Sequence, residues 1–120
     1  MVVEDNADVL EFMTLSLEGL GRAEVYKFRT GEEALNCFAL YPREFELVIT
    51  DFGLPGLNGV ELCRRIRDIS PVVKTILSIG NANAPEPFAR QVGFSGVLQK
   101  PFTADELWRV VKSVLPAREN

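Results

Sequence analysis

The run Leu47-Val48-Ile49-Thr50 is continuously apolar and β-branched, and it stops at an acid, Asp51. A run without polar alternation has no side meant for water, so it suits a parallel strand covered on both faces. Such a strand cannot stand alone, because it needs helices above and below it. The rest of the chain must therefore alternate strand and helix, and it carries the marks of doing so.

Val2-Val3 is a short apolar run ending at Glu4 and Asp5, and Asn6 is placed to cap the segment that follows. Leu10, Met13, Leu17 and Leu20 recur there at spacings of three and four, which predicts a helix, with Gly19 and Gly21 as its stop. Ala23 to Phe28 reads as a second strand. Thr30-Gly31-Glu32-Glu33 has the spacing of a capping box ahead of Ala34, Leu35, Phe38 and Ala39. After Asp51, the Gly- and Pro-bearing loop from Phe52 to Asn58 leads to a helix carrying Leu62, Cys63, Ile66 and Ile69. Val72 to Ile79 reads as the fourth strand. The segment Gly80 to Pro87 is weakly helical because of its two prolines, so a fourth helix is expected to be short or late. Gly96 to Gln99 is a fifth strand, and Thr103-Ala104-Asp105-Glu106 is a second capping box before Leu107, Val110, Val111 and Val114, with Pro116 as the stop.

Five strands alternating with five helices imply an α/β fold, a parallel sheet with helices on both faces. At 120 residues the chain is long enough for one core and too short for two. We expect one domain over residues 1–116 and a short tail at 117–120. In doubly wound sheets of this kind, ligands bind beyond the carboxyl ends of the strands.

Composition narrows the chemistry. The net charge is −4, from 13 basic and 17 acidic residues, without a basic stripe, so direct nucleic-acid binding is not expected. Apolar stretches are a few residues long and the start has no leader pattern, so a cytoplasmic protein without membrane insertion is expected. There is no histidine, which excludes Ser-His and Cys-His nucleophiles and histidine-ligated metals. Cys37 and Cys63 lie within apolar helical patterns and read as buried free thiols. Arg64, Arg65 and Arg67 read as a solvated helix face, and Phe102 and Trp108 as packing residues.

The chemistry left rests on acids and a lysine at strand ends: Glu4 and Asp5 after strand 1, Asp51 after strand 3, Lys100 after strand 5. Taken singly, an acid at a strand end is as readily a cap or a turn residue. Three acids on one rim would repel, and Mg²⁺, which accepts carboxylate oxygens, waters and phosphate, relieves that repulsion. Asp51 is then suited to attack phosphorus and form an acyl phosphate, with Lys100 pairing with the phosphoryl oxygens.

At these residues the sequence resembles the receiver domains of response regulators. The matching pieces are Val2-Val3-Glu4-Asp5-Asn6, the stretch Asp51-Phe52-Gly53-Leu54-Pro55-Gly56-Leu57-Asn58-Gly59, and Lys100-Pro101-Phe102. They span nearly the whole chain in the family's order. The resemblance implies a flavodoxin-like sheet of order 2-1-3-4-5 and a two-component phosphorelay function. It implies Asp51 as phosphoacceptor, with Asp5 and Asp51 as direct ligands of Mg²⁺ or Mn²⁺. Glu4 would act through water, the Gly53 carbonyl would add a ligand, and Lys100 would contact the phosphoryl group. The Lys100-Pro101 bond is expected to be cis. The implied partners are a histidine kinase or histidine phosphotransfer domain and a downstream protein or fused output domain. The implied transfer and slow hydrolysis are autocatalytic and not enzymatic turnover.

Two positions depart from the family pattern. An ungapped count from Asp51 puts the usual switch hydroxyl on Ile79, followed by Gly80, whereas counting back from Lys100 favours Ser78. We prefer the ungapped count, and Ser78, Ile79 and Gly80 together form the expected phosphoryl surroundings. Val97 stands where an aromatic ring is usual. These departures motivate an alternative, a receiver-like interaction module that no longer switches. A phosphohydrolase is a weaker alternative because Gly53 cannot serve as general acid, and a flavodoxin-like cofactor binder is weaker because the first loop is acidic.

Overall fold

The fold was determined as a computed structural model that describes residues 1–19, 23–80 and 93–115. Along the chain run β1 (Val2–Val3), α1 (Ala7–Glu18), β2 (Lys27–Phe28), α2 (Gly31–Leu40), β3 (Leu47–Asp51), α3 (Gly59–Ile69), β4 (Lys74–Ile79), β5 (Gly96–Gln99) and α4 (Ala104–Val114). The five strands form one parallel sheet of order β2-β1-β3-β4-β5, as expected from the resemblance. The helix expected between β4 and β5 falls on residues 81–92, outside the described residues, as do Leu20, Gly21 and Pro116.

Strand alternation sends neighbouring side chains to opposite faces, and here each face has its own helices. Val3, Val48 and Leu77 pack with Ala34 and Phe38 of α2 and with Leu62, Cys63 and Ile66 of α3. Val2, Ile49 and Ile76 pack with Leu10, Met13 and Leu17 of α1 and with Leu107 and Val111 of α4. The continuous apolar run of β3 therefore feeds two cores at once, which is why it shows no alternation. Trp108 binds α4 to α1 by donating its indole N–H to the Ser16 carbonyl at 2.8 Å.

Helix starts follow the sequence closely. Asn6 accepts from the backbone N–H groups of Asp8 and Val9, Asn58 from that of Glu61, and Thr103 with Glu106 forms the complete capping box. The box expected at Thr30 is only half made: Thr30 accepts from the Glu33 N–H, but the Glu33 carboxylate accepts from the Thr30 hydroxyl at 3.0 Å. Gly19 does cap α1, yet with φ −60, so its glycine freedom is not what stops the helix.

Two strands are shorter than expected. β2 keeps only Lys27–Phe28, because it is an edge strand with β1 as its sole ladder partner, and β1 itself offers two residues. β4 begins at Lys74, since Val72 is 83% exposed and the Val73 N–H is turned back to the Ser70 carbonyl. Arg67 is another correction: Arg64 and Arg65 reach Glu61 on an exposed face, but Arg67 is half-buried and a side chain on Gly93 would run into its guanidinium. Cys63 is fully buried and Cys37 only half-buried; both are free thiols.

Candidate functional site

The rim is made by the ends of three strands. Glu4 and Asp5 leave β1, Asp51 is the last residue of β3, and Lys100 follows β5. β4 lies between β3 and β5, so Lys100 must cross its end to reach the acids. Its backbone N–H donates to the Ile79 carbonyl at 2.8 Å, and the long side chain spans the rest. The ammonium Nζ stands 2.6 Å from Glu4 Oε1 and 3.2 Å from Asp51 Oδ1. The Lys100-Pro101 peptide is cis, as the resemblance implies.

Glu4 is 1% exposed and Asp51 8%, so both carboxylates are inside the protein surface. The second oxygen of Glu4 accepts from the Asn6 N–H at 3.0 Å. Burial pushes the Glu4 carboxyl above its ordinary range, with the Asp51 charge adding to it, and the contacts with Lys100 and Asn6 only partly reverse this. Burial pulls the Lys100 ammonium down, but its hydrogen bond to Glu4 and the charges of Glu4 and Asp51 outweigh that and leave it raised. One ammonium thus serves two buried acids, and a third stands beside them.

Glu4, Asp5 and Asp51 each offer a carboxylate oxygen, all within 4.8 Å of one another. These donors fit a hard divalent cation, which takes oxygen ligands and removes the repulsion that one ammonium leaves uncancelled. Asp5 is held from behind: Arg29 donates to its carbonyl from Nη2 at 2.8 Å and from Nε at 3.2 Å. Asp51 is held by its backbone. Phe52 N–H donates to the Ser78 carbonyl at 2.8 Å, and Gly59, the first residue of α3, lies so close to the Asp51 carbonyl that any Cβ there would collide with it.

The remaining expected residues sit as follows. Ser78 is the register partner of Asp51, and both share strand parity with Ile49 and Ile76, which face the α1 and α4 side. Ser78 is 1% exposed and its hydroxyl has no hydrogen-bond partner among the described residues. Ile79 packs with the α2 and α3 core, Gly80 is exposed, and Gly53 is exposed with open space around it. Val97 is half-buried against the α2 and α3 core. Sequence reasoning missed Arg29 and the pairing role of Glu32. Neither contact has a local signal, because the partners lie 24 and 25 residues away.

A parallel sheet of this order with an acid trio and a lysine on the carboxyl rim defines a receiver-type signalling module. The sequence model of the response regulator receiver domain matches residues 1–112, and the chain belongs to that family of two-component systems. It is 32% identical over 107 residues to the uncharacterized transcriptional regulatory protein YrkP of Bacillus subtilis, covering 89% of this chain and 45% of that protein. It is 29% identical over 115 residues to the regulatory protein VanR of Enterococcus faecium, covering 96% and 48%. The chain thus spans about half the length of these curated relatives. A response regulator receiver domain protein from Clostridium thermocellum superposes with a TM-score of 0.83 at 27% identity, covering 94% of this chain and 90% of that one. Among the described residues no helix is long and apolar enough to cross a membrane.

Proposed function

We propose that residues 1–116 act as a phosphorylation switch in which Asp51 accepts a phosphoryl group from a phosphohistidine. The donor is a histidine kinase or histidine phosphotransfer domain, since this chain has no histidine of its own. An Asp51 carboxylate oxygen attacks phosphorus, the new O–P bond forms as the P–N bond breaks, and the electron pair returns to the donor imidazole. Lys100, already 3.2 Å from Asp51, pairs with the phosphoryl oxygens as they arrive. Asp5 and Asp51 are the proposed direct ligands of Mg²⁺ or Mn²⁺, with the Gly53 carbonyl as a further ligand and Glu4 acting through water. When bound, the cation neutralises charge on the phosphoryl oxygens. Ser78 and Gly80 border the phosphoryl group, the buried Ser78 hydroxyl being the nearest in register to Asp51, while Ile79 faces the α2 and α3 core. The same site hydrolyses its own acyl phosphate slowly, and the chain works in the cytoplasm on a downstream protein or a fused output domain.

The observation that carries this reading is the ammonium of Lys100 lodged between Glu4 and Asp51 inside an acid trio. Acetyl phosphate and Mg²⁺ should add one phosphoryl mass to the wild type and none to Asp51→Asn, as read by intact-mass spectrometry. Equal incorporation in both proteins would sink the assignment.

A second reading, an interaction module that docks without switching, is favoured by Val97 in place of a ring. It predicts no beryllofluoride-dependent change in the spectrum of backbone amides.

A further inference from the structure

The corner between β2 and α2, residues 29–32, touches both loops that carry the acid rim. Arg29 places two donors on the Asp5 carbonyl, at 2.8 and 3.2 Å, and so grips the β1–α1 loop. Glu32, three residues on, accepts from the Leu57 N–H at 2.9 Å and grips the loop between β3 and α3. That hydrogen bond holds the Glu32 carboxyl below its ordinary range. Between them Gly31 packs so tightly on Leu57 that a Cβ would come within 2.5 Å of its carbonyl oxygen. Glu32 also lies against Gly56 of the same loop. Three successive contacts from one short segment therefore tie together two loops that are far apart in sequence.

We infer that Arg29 and Glu32 are positioning residues that hold the Asp5 loop and the Gly53–Asn58 loop at the spacing a divalent cation requires. This rests on the metal reading of the rim given above. Neither side chain needs to touch the cation. Arg29 acts on the backbone of a proposed ligand, and Glu32 acts on the loop whose Gly53 carbonyl is another. Partners one shell out from a metal typically change its affinity by about tenfold or more when removed. The arrangement also joins α2 mechanically to the rim, so that filling the site would be felt at the start of this helix.

The charges allow a clean test, because positioning and simple electrostatics predict opposite signs at Arg29. Removing a cation from beside an acid site should tighten Mg²⁺ binding if charge is all that matters, whereas loss of the brace should weaken it. Calorimetric titration of Mg²⁺ into the intact chain should show Arg29→Ala and Glu32→Ala each weakened by about tenfold. Glu32→Gln, which keeps an acceptor for Leu57 and drops the charge, should bind almost as the wild type does. Amide exchange in the metal-free protein should be faster at Leu57 in Glu32→Ala and near wild-type in Glu32→Gln. Tighter binding in Arg29→Ala, or equal losses in the two Glu32 variants, overturns the proposal. So does wild-type affinity in both alanine variants, even if their urea midpoints fall, since that is what a merely structural role would give. A wild type that binds no Mg²⁺ at all would instead overturn the metal reading, and this inference with it.

Discussion

Cys63 shows how strongly one residue's surroundings can act. Burial pushes its thiol from 9.0 up to about 12, against a smaller opposing pull from Arg67. The folded chain keeps this proton while the unfolded chain loses it above pH 9, so the thiol's contribution to stability is complete below pH 9 and declines toward pH 12. The slope for one such group approaches about 1.4 kcal/mol per pH unit. Urea midpoints measured from pH 8 to 10 should therefore fall more steeply in the wild type than in Cys63→Ala, and parallel curves would refute the assignment. Lys100 is the opposite case, a charged group kept charged: its two acid neighbours outweigh its burial. The sequence identified Glu4, Asp5, Asp51 and Lys100 through their positions at strand ends. Between Ser78 and Ile79 it preferred Ile79 for the position beside the phosphoryl group, because a count along the chain cannot see strand parity. The register places Ser78 opposite Asp51 and sends Ile79 into the far core.

At the level of elements, helix starts were the most legible feature, because a cap and its targets lie within three residues. Thr103 and Glu106 satisfy one another's backbone N–H groups at 3.1 and 3.0 Å. Replacing Thr103 by alanine should cost about 1 kcal/mol, read as a drop in urea midpoint with the circular dichroism of the folded state unchanged. The same change at Thr30 should cost about as much, since its hydroxyl likewise accepts from one backbone N–H. Strand limits were less legible. β2 lost Ala23 to Tyr26 because strand length depends on how much partner is available, and β1 pairs only Val2 and Val3 with it. The helix start at Gly59 has a second reason for its glycine that sequence alone does not reveal: the close passage of the Asp51 carbonyl.

Across the whole molecule, the sheet unites two cores and one rim. α1 and α4 cover one face, α2 and α3 the other, and each apolar strand contributes to both. The rim gathers three carboxylates, of which a single ammonium pairs with two. A ligand that binds the folded rim and not the unfolded chain must raise stability by mass action, by about 2.7 kcal/mol at a hundredfold excess over its dissociation constant. Thermal melts of the wild type should thus shift upward with added Mg²⁺, and the shift should vanish in Asp51→Asn. An equal shift in both proteins would indicate binding elsewhere.

Periodicity, caps and the unbroken β3 run determined that this chain is a parallel α/β sheet, and the spacing of its motifs placed acids and a lysine at three strand ends. These are local signals, carried by residues within a turn or a strand of each other. Only the tertiary structure decided that Lys100 reaches over β4 to both Glu4 and Asp51, that Arg67 is half-buried, and that Arg29 and Glu32 tie the two rim loops together. Such contacts join residues 24 to 96 positions apart, and they depend on the twist, register and packing of whole elements, which no stretch of sequence encodes by itself.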